Sequence, residues 1–107
     1  MNILMHAPFT WESGYEYALM TMKRLIYAVQ LINITIIGDG PERQRILYTI
    51  QDLGLEERVK LLGALPPSHV RDRLQQADVF LISSLSEGIS SAVLEAMACG
   101  LPVVTTD

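Results

Sequence analysis

One unit recurs along this chain and constrains its fold more than any single residue. A run of three to five apolar residues is closed by glycine or proline and followed by a segment whose apolar positions fall at helical spacing. Ile3, Leu4 and Met5 form the first run, closed by Ala7 and Pro8, and Pro8 disfavours helix at the residue before it. From about residue 12 to 29, Ala18, Leu19, Met22, Leu25, Ile26 and Val29 trace one face of a helix. The β-branched run from Asn33 to Ile37 ends in Gly38-Asp39-Gly40, and Pro41 stands at the position proline prefers at the opening of a helix. Ile46, Leu47, Ile50 and Leu53 give that helix its apolar face, and Gly54 falls where a left-handed terminal residue belongs.

The unit then repeats. Residues 59–62 form a third strand, Pro66-Pro67-Ser68 starts a helix carrying Val70 and Leu74, and residues 79–82 form a fourth strand, apolar throughout as for burial on both faces. A helix over residues 91–99 and a last strand from Pro102 to Thr105 complete the pattern. Strands alternating with helices over 107 residues predict one α/β domain, a doubly wound Rossmann-like unit spanning 1–107. Its sheet has about five parallel strands in the order 3-2-1-4-5, with helices on both faces.

Composition narrows the function. Eight basic against twelve acidic residues give a net charge of −4 without a basic run, which argues against nucleic-acid binding. The opening lacks the charged flank and apolar length of a signal peptide, and no segment is apolar for long enough to span a membrane, so a cytoplasmic protein is expected. Cys99, the single cysteine, excludes an intrachain disulfide and reads as a small buried residue.

In doubly wound sheets ligands gather at the carboxyl ends of the strands, near the switch in strand order. That places the candidate site in the loops after the first, second and fourth strands. Gly38 and Gly40 can serve a ligand or simply the tight turn. Gly88, Ile89, Ser90 and Ser91 lead into a helix whose free N–H groups favour phosphate, although Ser90 or Ser91 could equally be caps. Glu87 and Glu95 could both point into one crevice, where ionised carboxylates would accept hydrogen bonds from sugar hydroxyls. A solvated glutamate is the ordinary alternative, but Leu94, Ala96, Met97 and Ala98 are apolar company for an unused charge. His6 and His69 show no partnering pattern and read as structural or surface residues. Trp11, Tyr15 and Tyr17 read as packing of the first helix on the sheet rather than as a stacking platform.

From Trp11 onward the chain resembles the C-terminal, donor-binding domain of family 4 glycosyltransferases of the GT-B architecture. The resemblance is carried by T-W-E-S-G-Y-E-Y-A-L (10–19), I-I-G-D-G-P-E-R (36–43), V-K-L-L-G (59–63), A-D-V-F-L-I-S-S (77–84) and S-E-G-I-S-S-A-V-L-E-A-M-A-C-G-L-P (86–102). The last contains that family's pair of glutamates as Glu87 and Glu95. Residues 1–9, M-N-I-L-M-H-A-P-F, resemble instead the strand that opens the N-terminal domain of the same enzymes.

The resemblance implies a nucleotide-sugar site used for retaining transfer, with no cofactor and usually no metal. Glu95 would hold the ribose hydroxyls and Glu87, the catalytic candidate, would lie beside the donor sugar. Gly88, Ile89 and Ser90 would offer backbone groups to the sugar and diphosphate. Gly38 and Gly40 would line the floor, with the base near Leu61 and Leu62. Two cations usual in that family fall at Pro8 and Ser13, and loss of a donor of this kind commonly costs about 10²–10³ in rate. The expectation is therefore a donor-binding half that binds nucleotide sugar or nucleoside diphosphate weakly and is inactive alone. The alternative is a minimal Rossmann-like folding unit without ligand function. An uncovered last strand predicts a homo-oligomer, formed through the sheet edge or through the face a second domain would cover.

Overall fold

The computed structural model describes residues 1–6, 14–28, 32–82 and 91–105. The strands are β1 (Asn2–His6), β2 (Asn33–Ile37), β3 (Val59–Gly63), β4 (Val79–Ile82) and β5 (Val103–Thr105). Between them lie α1 (Tyr15–Ala28), α2 (Arg43–Asp52), α3 (Pro67–Gln76) and α4 (Ser91–Ala98). The strands form one parallel sheet in the order β3-β2-β1-β4-β5, as the sequence pattern predicts. The fold is a single Rossmann-like, doubly wound unit.

Side-chain alternation along the strands divides the core in two. Ile3 and Met5 of β1, Ile34 and Ile36 of β2 and Leu81 of β4 pack with Ala18, Leu19 and Met22 of α1 and Ile46 and Ile50 of α2. Leu4, Ile37 and Phe80, one residue out of phase, pack with Val70 and Leu74 of α3 and Val93 and Ala96 of α4. The continuous apolar run of β4 is thus needed because both of its faces are covered. At the amino end of the sheet the Asn2 amide donates to Asp78 Oδ2 at 2.7 Å, and the Asp78 amide donates to the Asn2 carbonyl at 2.8 Å. This reciprocal pair fixes the entry to β4 against β1.

Several boundaries differ from expectation for local reasons. Pro41 does not open α2: the Arg43 amide donates to the Gly40 carbonyl at 3.2 Å, so Pro41 and Glu42 are the central residues of a tight turn and the helix starts after it. Pro67 does occupy the first turn of α3, with Pro66 before it. Leu25 does not join the buried face of α1 and is 40% exposed, while Ile26 packs inward. Cys99 is exposed rather than buried, because Ala96 and Leu101 fill the interior around the end of α4. Gly54 and Gly100, with φ of 69° and 74°, take the left-handed conformation that ends α2 and α4. Trp11 lies outside the described residues, whereas Tyr15 is buried in the α1 layer as expected of a packing residue. Among the described residues no helix is long and apolar enough to cross a membrane.

Phe80 is among the largest fully buried side chains and stands on β4, between the central strand and the edge. Phe80→Ala is expected to lower unfolding stability by about 3–5 kcal/mol. Val104→Ala, at a site 47% exposed, should cost under about 1 kcal/mol. Urea denaturation of the two variants checks the difference.

Candidate functional site

Because β1 lies between β2 and β4, the strand order reverses at its carboxyl end, and this is where a doubly wound sheet opens a crevice. The described residues at the carboxyl ends of the strands are His6, the last residue of β1, Gly38 to Gly40 after β2, and Leu62 and Gly63 ending β3, and the charge of Glu95 in α4 acts on His6.

The two loop glycines are shaped by their own hydrogen bonds. The Gly38 amide donates to the Gly63 carbonyl at 2.9 Å, extending the β2–β3 ladder past the last strand residue. The Gly40 amide donates to Asp39 Oδ1 at 2.8 Å. Both N–H groups are therefore engaged within the protein. What the pair can give a ligand is close approach to a backbone without side chains, not a donor nest.

Leu62 owes its position to an irregularity. Ile36 pairs with Leu61 but Ile37 pairs with Gly63, so Leu62 is the extra residue of a bulge at the carboxyl end of β3. It packs towards the α3 and α4 layer, whereas Leu61 packs towards α1 and α2. The two leucines therefore face opposite sides of the sheet and cannot flank one base together.

Glu95 is exposed, and so are Leu94 and Met97. The apolar neighbours that single out Glu95 in the sequence do not enclose it, and the helix geometry shows why. Val93 and Ala96 take the buried stripe of α4, and Leu94, Glu95 and Met97 share its outer side. Glu87, Gly88, Ile89 and Ser90, and likewise Pro8 and Ser13, lie outside the described residues.

Residue alternation puts His6 on the same side of β1 as Leu4, towards α3 and α4. Its Nδ1 is buried and has no hydrogen-bond partner. Burial pushes the imidazole below its usual 6.5, and the Glu95 carboxylate opposes this by favouring the charged ring. The sequence pattern assigns His6 no acidic partner, yet the fold brings the charge of Glu95, 89 positions away in the chain, near enough to act on the ring without pairing with it. The signal available beforehand was its place as the last strand residue before Ala7-Pro8, at the switch point.

Arg43 holds Nη1 4.0 Å from where a side chain on Gly63 would begin. A separate concavity of about 680 Å³ runs between α2 and the β3 edge, lined by residues such as Thr35, Arg43, Leu47, Gln51 and Lys60. It contains none of His6, Gly38, Gly40, Leu62 or Glu95, so it is not this crevice. Among the described residues no group of three or more His, Cys, Asp or Glu could hold a metal ion.

The glycosyl transferases group 1 family model matches residues 2–107, and the chain belongs to this family. It is 36% identical over its whole length to the amylovoran biosynthesis glycosyltransferase AmsK of Erwinia amylovora, covering 28% of that protein. It is 39% identical over 70% of its length to the GPI3 component of the phosphatidylinositol N-acetylglucosaminyltransferase of Saccharomyces cerevisiae, covering 17% of it. The chain thus spans less than a third of the length of these curated relatives. Among solved structures, the pneumococcal O-GlcNAc transferase GtfA, crystallised with UDP and GlcNAc, superposes with a TM-score of 0.90 at 20% identity over 97% of this chain and 20% of its own. The C-terminal domain of the Francisella tularensis group 1 glycosyl transferase LpcC superposes with a TM-score of 0.85 at 16% identity, with 97% of this chain and 56% of that one covered. These superpositions establish the fold as that of the Rossmann-like units of GT-B glycosyltransferases.

The environment of His6 has a measurable consequence for stability. Since folding lowers its pKa, the unfolded chain binds the proton more readily between the folded value and 6.5. Stability is complete above 6.5 and falls as the pH drops through the folded value. His6→Gln should flatten this component in chemical denaturation run across that window.

Proposed function

We propose that this chain is the nucleotide-sugar donor-binding half of a retaining glycosyltransferase, one domain of a two-domain GT-B enzyme, and does not turn the donor over alone. The observation that supports the reading is the reversal of strand order at the end of β1, which places His6 and the loop of residues 38–40 at one crevice, in a chain of this family. Solved neighbours crystallised with UDP favour a uridine nucleotide as the first ligand to try.

In this reading Glu95 accepts hydrogen bonds from the vicinal ribose hydroxyls, for which an exposed carboxylate is suited. Glu87 stands beside the donor sugar, and Gly88, Ile89 and Ser90 present backbone groups to the sugar and diphosphate. Gly38 and Gly40, their amides already engaged, form a floor that a ligand can approach closely, and Leu62 borders the base. Transfer to an acceptor leaves the negative charge of the departing diphosphate to be stabilised. With proline at 8 and serine at 13, that stabilisation is weak, which is why turnover is absent from the chain by itself. Its location in this reading is the cytoplasm.

Titration with UDP is expected to move the amide resonances of residues 38, 40 and 88–90 at millimolar ligand. Glu95→Ala should weaken binding at least about tenfold, or ~1.4 kcal/mol. Unchanged spectra at millimolar UDP, GDP and ADP would overturn the reading in favour of a folding unit without a ligand.

The same reading includes self-association. β5 is the last strand in the sheet order, Val104 is half exposed, and Leu94 and Met97 present an apolar outer side of α4. Sedimentation at micromolar concentration should detect a dimer or larger species that Val104→Lys shifts towards monomer. A wild-type monomer under those conditions contradicts it.

A further inference from the structure

His6 is the one described residue with a buried side-chain nitrogen that nothing satisfies. Buried polar atoms nearly always have a partner, and an exception at the mouth of a crevice asks for a cause. No backbone carbonyl or carboxylate fixes the tautomer of this ring through Nδ1 or holds a proton there. Its charge state is therefore open to change by a charged group that enters the crevice.

Among the described residues, those on the same side of the sheet as His6 come from β2, β4, α3 and α4. β2 contributes Ile37, paired in register with His6, and β4 contributes Phe80 and Ile82 on the same side of the sheet. α3 turns Val70 and Leu74 inward and its charged residues Arg71, Asp72 and Arg73 outward. α4 supplies the single described charge that acts on the ring, the Glu95 carboxylate. The residue is partly exposed, so it is both within reach of a ligand and sheltered enough to feel the ligand's charge.

We propose that His6 is a proton-linked anion contact, whose imidazolium form pairs with the diphosphate of the donor so that binding takes up a proton at the end of β1. The proposal rests on the reading that a nucleotide sugar occupies the crevice. A diphosphate diester carries its charges throughout the neutral range, so the titrating partner is the imidazole. Empty, the crevice leaves the ring neutral because burial outweighs the attraction of Glu95. Occupied, a second source of negative charge reverses that balance.

The test is calorimetric titration with UDP-glucose in buffers of different ionisation enthalpy, with the His6 ring followed by NMR in the same samples. Affinity should rise about tenfold from about pH 8 to about pH 6, with net proton uptake and a His6 ring that titrates at higher pH in the complex. His6→Gln should bind with an affinity independent of pH, and His69→Gln, at an exposed site on α3, should behave as wild type. The wild-type ring titration needs no variant and decides the matter even if His6→Gln folds poorly. Binding with no proton uptake, or with an unmoved ring, overturns the proposal and leaves donor binding intact. No binding of UDP-, GDP- or ADP-glucose at millimolar concentration overturns both.

Discussion

The structure depends on β1 being buried on both faces and paired on both edges. Ile3 and Met5 close the α1 and α2 layer, Leu4 closes the α3 and α4 layer, and β2 and β4 hydrogen-bond on either side. Neither half of the core can form without this strand, and its register decides which residues belong to which half. A slip by one position would send Ile3 and Met5 towards α3 and α4, and Leu4 and His6 towards α1 and α2. The exposure of His6 to the charge of Glu95 follows from the phase that best buries three apolar side chains.

That dependence explains what could be read in the chain beforehand. Parallel strands covered on both faces need continuous apolar runs, so Asn33–Ile37 and Val79–Ile82 stand out with their observed bounds. Glycines that must take a left-handed backbone mark the helix ends at Gly54 and Gly100. The less legible features are those set by three-dimensional competition for interior space. Leu25 and Ile26 are equally apolar neighbours in sequence, and only the direction of α1 over the sheet chooses Ile26. Cys99 loses its place inside to Ala96 and Leu101 in the same way. Pro41 is ambiguous locally, since its fixed φ suits both a first helical turn and the second position of a tight turn. The Gly40 to Arg43 hydrogen bond selects the turn.

The crevice, as distinct from any ligand in it, was legible from topology. Sheet order alone locates the crevice, so topology is what points to Gly38, Gly40 and Glu95. The apolar company of Glu95 was a false ground, because α4 is apolar on its outer side as well as its inner one. Leu62 lies at the strand end by virtue of a bulge, which a run of V-K-L-L-G does not announce. His6 escaped because the carboxylate whose charge acts on it comes near only after the chain has crossed the sheet to α4.

These corrections change the electrostatic character of the crevice. A glycine loop after a strand often suggests a cradle of free amides for phosphate, but here the Gly38 and Gly40 amides serve the β3 carbonyl and the Asp39 side chain. An anionic ligand therefore finds little donor capacity on that wall, and on the opposite one it meets Glu95 within a chain of net charge −4. Hydroxyl groups suit such a crevice better than phosphates do, since carboxylates accept from the former and repel the latter. For a ligand that carries both, the ribose contributes attraction and the diphosphate opposes it except where a cation offsets it, either Arg43 beside Gly63 or a positive charge that arises locally. Among the described residues facing that point, His6 is the group whose charge can change near neutral pH. If a nucleotide sugar occupies the crevice as proposed, this unpaired nitrogen and the nearby carboxylate would bear on affinity more than the two loop glycines do.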